Sequence, residues 1–458
     1  MHLLRSSMPR FLSSLALSIA FCLAVCVQVA GQAFDKGEFA ARRARLLERV
    51  GADVALVFAA EPHVHAVKFR QSPDFFYLTG IEEPGAVLLL VGRTKQAFVF
   101  AAKRSPVDVM VGGPGLLERA GAAEVYGVTQ ALPLESFAAT LAAESREARK
   151  VYLPLTPPDS LQMARTEMVS RERDAAAHPL LQGYAPPWKR AAARVRELLP
   201  ALEQADVNPL LDQLRWVKTP YEIERLRRSG RIGADGVAAA IRGTRPGMYE
   251  YELEAAAHFV MTRMGARGHA FTPIVASGPN TVTWHYERND RRMEAGDVVL
   301  MDYGADYDYY TSDITRTWPV SGAFTPEQEK IYRCILEARD AIIAAIKPGV
   351  TVRQLQDVSE AVYRKHGFHQ QFLELGRYVG HHVGLSVHDV GSELTDAPFR
   401  PGVVFNVEPL IEFRGRQLHM RLEDTILVTA AGAENLTAGV PADVQGVYAL
   451  IKQKPIAP

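Results

Sequence analysis

Apolar positions along the chain follow two rhythms. Short unbroken runs at Val54-Ala-Leu-Val-Phe58, Ala86-Val-Leu-Leu-Leu-Val91, Gln96-Ala-Phe-Val-Phe100 and Val151-Tyr-Leu-Pro154 sit between turn residues and read as buried strands. Residues 37–50, 134–147 and 189–204 carry helical spacing instead. Their alternation predicts an α/β domain over residues 34–205. Pro186-Pro187 and the stretch 200–209 mark a connection. Helical patterns then cover 207–217, 220–242 and 249–265. Thr219-Pro-Tyr-Glu222 has the residues of a capped start: threonine as cap, proline in the first turn, glutamate able to reach back. Beyond residue 270 the two rhythms mix. Residues 297–302 read as a strand, 304–308 as a turn and 309–318 as a second strand. Helices follow at 325–346 and 351–366, and strands at 402–408 and 421–428. Residues 206–458 thus form a second, α+β domain with antiparallel strands.

Residues 1–33 obey neither rhythm. Arg5 and Arg10 are their only formal charges, an apolar run covers Phe11 to Val27, and Gly31-Gln-Ala33 ends in small residues. A basic start, an apolar middle and a small-residue end form a secretory signal. The expectation is an exported protein, periplasmic or secreted, with no membrane attachment after cleavage. An uncleaved anchor and a lipidated Cys26 are the alternatives. Removing this segment leaves 50 basic against 52 acidic residues and a single cysteine, Cys334, so no intrachain disulfide is available. Cys334 lies in an amphipathic helical run and is expected to be buried. The near-balance of charge gives no pull toward nucleic acid.

Candidate chemistry enters where acidic residues interrupt segments that otherwise ask for burial. Asp302 and Asp313 lie on strands joined by a turn and can share one sheet face. Glu408 ends the apolar run Val403-Val-Phe-Asn-Val-Glu408, and Glu423 opens Arg421-Leu-Glu-Asp-Thr-Ile-Leu-Val428. His381 and His388 lie in the Gly-bounded segment Gly380-His-His-Val-Gly-Leu-Ser-Val-His-Asp389. A buried ionised carboxylate is costly alone and is compensated by a cation. Four carboxylates and an imidazole suit two divalent ions, with Mn²⁺ or Mg²⁺ favoured by oxygen ligands and Zn²⁺ or Co²⁺ admitted by the imidazole. Two such ions about 3.5–4 Å apart can share a water and make it a nucleophile near neutral pH, which points to amide or ester hydrolysis.

The same segments carry a resemblance. His285-Tyr286, Met301-Asp-Tyr-Gly304, Ser312-Asp-Ile-Thr-Arg-Thr317, Gly380 to Gly391, Val407-Glu-Pro409 and Arg421-Leu-Glu-Asp424 match in order and spacing the aminopeptidase P / prolidase family of pita-bread metallopeptidases. Ser72-Pro-Asp-Phe-Phe-Tyr-Leu-Thr-Gly80 is similar to that family's non-catalytic N-terminal domain. The resemblance implies that Asp302 chelates one metal, that Asp313 and Glu423 bridge two, and that His381 and Glu408 complete the second site. It makes Glu408 the proton carrier, and His285 and His388 substrate-binding residues at the scissile carbonyl. Arg421 would form charge-assisted bonds inside the site. His382 stands six residues before His388 where the family has seven, which favours His381 as ligand. Leu410 after the Glu-Pro pair and Phe271 depart from the family pattern.

The activity this implies is removal of an N-terminal residue that precedes proline, by an enzyme holding two divalent ions, manganese first. Self-association into a dimer or tetramer through the first domain is expected. Prolidase activity on Xaa-Pro dipeptides is the runner-up, and a catalytically silent peptide-binding protein is the alternative from another class. His63 and His65 read as decoration of the surface or of a substrate channel. The run Arg42-Arg-Ala-Arg45 reads as a solvated helix face.

Overall fold

The computed structural model describes residues 34–62, 68–180, 183, 185–391 and 396–456; the expected signal over 1–33 and the pair His63 and His65 lie outside the described residues. The N-terminal domain is built on six strands: β1 (Val54–Phe58), β2 (Val87–Val91), β3 (Gln96–Ala101), β4 (Gln130–Pro133), β5 (Lys150–Leu153) and β6 (Glu203–Asp206). Their order is β4-β3-β2-β1-β5-β6, with β1–β2 and β2–β3 antiparallel and the remaining pairs parallel. Successive side chains enter opposite cores. Ala55, Val57, Leu88 and Leu90 pack toward helices Lys36–Val50 and Pro73–Thr79, while Val54, Leu56, Leu89 and Val91 pack toward Leu141 and Val195. Burial on both faces explains why these strands read as unbroken apolar runs.

The edges of this domain differ from expectation. Helical spacing over 189–204 becomes a helix at Pro187–Leu198, and the chain then extends into β6. Pro186-Pro187 opens that helix, because proline's fixed φ suits a first turn. Arg42 and Arg43 are buried, not solvated. The Arg42 guanidinium donates to Glu38 at 2.8 Å, to the Tyr77 carbonyl at 3.1 Å and to the Tyr310 hydroxyl of the second domain at 3.1 Å. Arg43 donates to the Leu78 carbonyl at 2.7 Å and the Gly127 carbonyl at 2.5 Å.

The second domain places helices Pro220–Ile241, Glu250–Arg263, Pro326–Ala345 and Val352–His366 around small antiparallel sheets. Thr219 and Glu222 form the expected reciprocal cap. Ten further strands are β7 (Gly268–His269), β8 (Ile274–Ser277), β9 (Val298–Tyr303), β10 (Ala305–Tyr307), β11 (Tyr310–Thr311), β12 (Ile314–Pro319), β13 (Val404–Val407), β14 (Leu410–Phe413), β15 (Leu418–Arg421) and β16 (Asp424–Val428), with a short last strand at Ala433–Asn435. Two expectations are corrected here. Residues 304–308 are not a turn: Ala305–Tyr307 is a strand, and the chain reverses at Asp308 and Tyr309, both at positive φ. The expected strand 309–318 is split at Ser312-Asp313 into β11 and β12. Gly304 permits the bend, because a Cβ there would lie 2.1 Å from the Ser312 carbonyl oxygen. Cys334 is buried, and burial pushes its thiol up to about 12. Among the described residues, no helix is long and apolar enough to cross a membrane.

A buried ion network ties the two domains. Arg215 contacts Asp74 at 2.7 Å, Asp159 at 2.7 Å and Asp389 at 2.6 Å, and Lys218 contacts Asp389 at 2.8 Å. Arg165 adds Asp74 at 2.6 Å and Asp212 at 2.9 Å. Burial raises the Asp212 carboxyl to about 7 against the pull of Arg165. Asp74 and Asp159 belong to the first domain, and Asp389 follows His388 in the second.

Candidate metal centre

Each expected ligand is delivered by a different backbone device. Asp302 lies in β9, flanked by Thr315 on β12 and Ile274 on β8. Asp313 sits in the break before β12, where its amide donates to the Thr425 hydroxyl at 3.1 Å. Glu423 occupies the break between β15 and β16, its amide bonded to the Thr315 carbonyl at 3.0 Å. Segment 379–383 runs beside β13: the Asn406 amide donates to the His381 carbonyl at 2.6 Å, and the Glu408 amide to the Val379 carbonyl at 2.9 Å. This close approach requires Gly380, where a Cβ would lie 1.7 Å from the Asn406 carbonyl oxygen.

The side chains converge. Ligand atoms of Asp313, His381 and Glu423 all lie within 4.8 Å of one another. His381 Nε2 is 3.4 Å from Asp313 Oδ2 and 3.9 Å from Glu423 Oε1. Its Nδ1 lies 3.1 Å from the His382 carbonyl, so the proton belongs on Nδ1 and Nε2 is left with a lone pair. Arg421, on β15, contacts Asp302 Oδ2, reaches Glu408 Oε1 at 3.1 Å and lies 3.8 Å from Glu423 Oε2. Burial opposes the Arg421 charge, but these carboxylates more than offset it and hold the guanidinium protonated.

Three carboxylates therefore share one guanidinium, and Asp313 lies among them without touching it. Burial, and then repulsion from Asp302 and Glu408, pushes the Asp313 carboxyl far above its usual range. Burial, and then Asp313, does the same to Glu423. Asp302 Oδ1 and Asp313 Oδ1 are buried without a hydrogen-bond donor. Unpaired buried oxygens, mutual repulsion and an imidazole whose Nε2 faces the carboxylates fit divalent cations.

His382 turns away from this cluster. It lies in a core of Trp216, Phe399 and Phe405, with its pKa lowered to about 3 by burial and by the Lys218 charge. The His388 ring lies against that of His381, tilted by 49° with centroids 4.2 Å apart. His285 and His388 line, with Asp302, Asp313 and Phe271, a cavity of about 340 Å³ beside the cluster. Three contributors escape a reading of the motifs. The Tyr378 hydroxyl donates to Glu408 Oε2 at 2.7 Å, and Asn406 and Thr315 donate to the two oxygens of Glu423. Asn406 had a sequence signal, being a polar residue inside an apolar strand two positions before Glu408 and so on the same face.

Comparison with known proteins agrees with this geometry. Metallopeptidase family M24 matches residues 224–430, and the aminopeptidase P N-terminal domain matches residues 39–152. The Xaa-Pro aminopeptidase of Escherichia coli K12 is 32% identical over 455 residues, covering 91% of this chain and 98% of that protein. The chain belongs to the aminopeptidase P family of metallopeptidases. Within it, the Escherichia coli aminopeptidase P solved with the inhibitor Pro-Leu is 29% identical with a TM-score of 0.76, covering 91% of this chain and 98% of that one. The Xaa-Pro dipeptidase of Pyrococcus furiosus is 35% identical over 233 residues, which cover 50% of this chain and 66% of that protein. The fold is thus an aminopeptidase P N-terminal domain followed by a pita-bread catalytic domain, and membership in family M24 makes the centre one for divalent metal ions.

Proposed function

We propose that the protein is a metalloaminopeptidase that releases the N-terminal residue from peptides with proline at the second position. The observation that carries this reading is the pairing of the buried carboxylate cluster with likeness to Xaa-Pro aminopeptidases across both domains. The N-terminal domain also walls the cavity over the cluster, through Gln162, Met163, Glu167 and Arg171. An Xaa-Pro bond is a tertiary amide of restricted geometry, so its cleavage asks for a fitted site.

Asp302, Asp313, His381, Glu408 and Glu423 would hold two divalent ions, manganese first with zinc and cobalt as alternatives. When bound, these ions supply Lewis-acid polarisation and a water acidic enough to attack near neutral pH. The chain's own residues do the rest. Glu408 accepts a proton from the attacking water and delivers it to the leaving nitrogen. Arg421 and Tyr378 hold one Glu408 oxygen each, which fixes the carboxylate for that transfer. His285 and His388 bind the scissile carbonyl region and stabilise charge as it develops there. Arg421 offsets the charge of the cluster and keeps Asp302 in place.

The composition of residues 1–33 supports export to the periplasm or beyond the cell. Helix Pro106–Gly112 exposes Val107, Met110 and Val111 together, with Met110 78% exposed, which supports self-association through the first domain as a dimer or tetramer. The runner-up, cleavage of Xaa-Pro dipeptides, has a relative in the Pyrococcus furiosus dipeptidase that covers 50% of this chain, against 91% for the Escherichia coli Xaa-Pro aminopeptidase, which favours the aminopeptidase reading. A series of Xaa-Pro and Xaa-Pro-Yaa peptides, assayed after loading with Mn²⁺, Co²⁺ or Zn²⁺, decides between them. Turnover confined to dipeptides would replace the aminopeptidase reading, and equal rates with alanine in place of proline would remove the proline requirement.

A further inference from the structure

One wall of the reaction cavity belongs to the other domain, and it touches a histidine already placed at the substrate. Helix Arg165–Ala177 begins beside the cavity. Its third residue, Glu167, accepts the Ala164 amide proton on Oε2 at 2.8 Å, which closes the helix start. The other oxygen, Oε1, lies 2.7 Å from Nδ1 of His388. Burial works against the Glu167 charge, yet the His388 contact and the Ala164 amide hold its carboxyl below the usual range.

The pair is scaffolded on both sides. Arg165, two residues before Glu167, is fixed by Asp74 and Asp212. Asp389, one residue after His388, is fixed by Arg215 and Lys218. Arg215 and Arg165 share Asp74, so both partners hang from one buried network. The backbones meet as well: the Val387 amide donates to the Leu161 carbonyl at 2.8 Å. A surface carboxylate that met a histidine by chance would have none of these supports.

A carboxylate at Nδ1 requires the proton there, which fixes the ring and leaves Nε2 as the atom available to substrate. We infer that Glu167 is a positioning residue for His388, through which the N-terminal domain becomes part of the catalytic apparatus. The inference rests on the assignment of His388 to the substrate carbonyl. It also gives the first domain a role beyond enclosing the cleft.

A double-substitution cycle in the metal-loaded full chain tests it, with kcat, KM and bound metal measured for Glu167→Ala, His388→Ala and the double variant. Glu167→Ala is expected to lower kcat roughly ten- to hundredfold, as removal of an orienting partner does elsewhere. KM should shift less than about threefold and bound metal should stay at the wild-type level. In the His388→Ala background the same change should alter kcat less than about twofold, because the residue it acts through is gone. Glu167→Gln keeps an acceptor oxygen and should recover kcat to within about threefold of wild type. An equal loss from Glu167→Ala in both backgrounds would mean that the residue only supports its helix, and the inference falls. An undiminished kcat in Glu167→Ala overturns it as well. Full turnover by His388→Ala sinks the underlying assignment instead, a result read from the single variant alone.

Discussion

Glu423→Gln should stabilise the metal-free protein while abolishing its metal-dependent stabilisation. Ligand atoms of Glu423 and Asp313 lie within 4.8 Å of each other, and both residues are buried. Two unit charges at that distance, in a medium of effective dielectric constant about 20, repel by roughly 3 kcal/mol. The amide of glutamine removes one charge and keeps the shape; it can accept from Asn406 and donate to the Thr315 hydroxyl, the two groups that now donate to Glu423. A metal-free gain of about 2–3 kcal/mol follows, or roughly 5–10 °C in the unfolding midpoint of a domain this size. The effect depends on pH in a definite sense. The folded-state pKa values of Asp313 and Glu423 lie above their unfolded values, so the stability these groups allow is full at low pH and is lost as pH rises toward the folded values. The glutamine variant should therefore gain most at about pH 8 and little at about pH 5. Metal reverses the order: an ion at about a hundred times its dissociation constant stabilises wild type by about 2.7 kcal/mol and finds a damaged site in the variant. Calorimetry of both proteins, stripped with chelator and reloaded with Mn²⁺, measures each arm. If the stripped variant melts below stripped wild type at about pH 8, the hydrogen bonds of Glu423 outweigh its repulsion, and the case for a cation-demanding cluster collapses.

His381→Phe should lose bound metal outright, whereas His382→Phe should keep metal and turnover at a cost under about 1.5 kcal/mol, since it swaps one ring for another in an aromatic core; metal analysis of the two variants side by side checks the assignment. Tyr378→Phe deletes the donor to Glu408 Oε2 and should lower kcat about tenfold with little change in KM or bound metal, while a rise in KM alone would place the tyrosine at the substrate instead. Arg42→Met removes a buried guanidinium that joins the first helix to Tyr77 and Tyr310 and should cost about 3–5 kcal/mol, seen as a lower melting temperature and faster proteolysis of the first domain.

The ligand segments were legible because each acidic residue breaks an apolar run, and an unneutralised carboxylate in such a run needs a reason. The capped start at Thr219 was legible because its signals are local. What escaped depends on distant partners. Nothing near Arg42 and Arg43 announces that helix Lys36–Val50 turns them inward, where carbonyls at Tyr77, Leu78 and Gly127 receive them. Helix Arg165–Ala177 buries only Arg165 and presents no apolar face, so periodicity gave no sign of it; ion pairs to Asp74 and Asp212 tie it down. The reversal at Asp308 and Tyr309 was misplaced because the glycine nearby, Gly304, serves a close strand approach and not the turn. Tyr378 has no motif of its own, and its role follows only from where segment 379–383 crosses β13.

The network around Arg215 also sets an order of assembly. Asp74 and Asp159 emerge first during synthesis, Arg215 follows, and Asp389 comes more than a hundred residues later, shortly before Glu408 and Glu423. Early domains fold as they emerge. The first two aspartates can therefore be in position before Arg215 bridges them, and the remaining valence of that guanidinium waits for Asp389. Its arrival docks the histidine segment onto a surface already built, and only then can the last two carboxylates close the centre. A growing chain thus carries a finished scaffold but no hydrolytic site until Glu423 has been made.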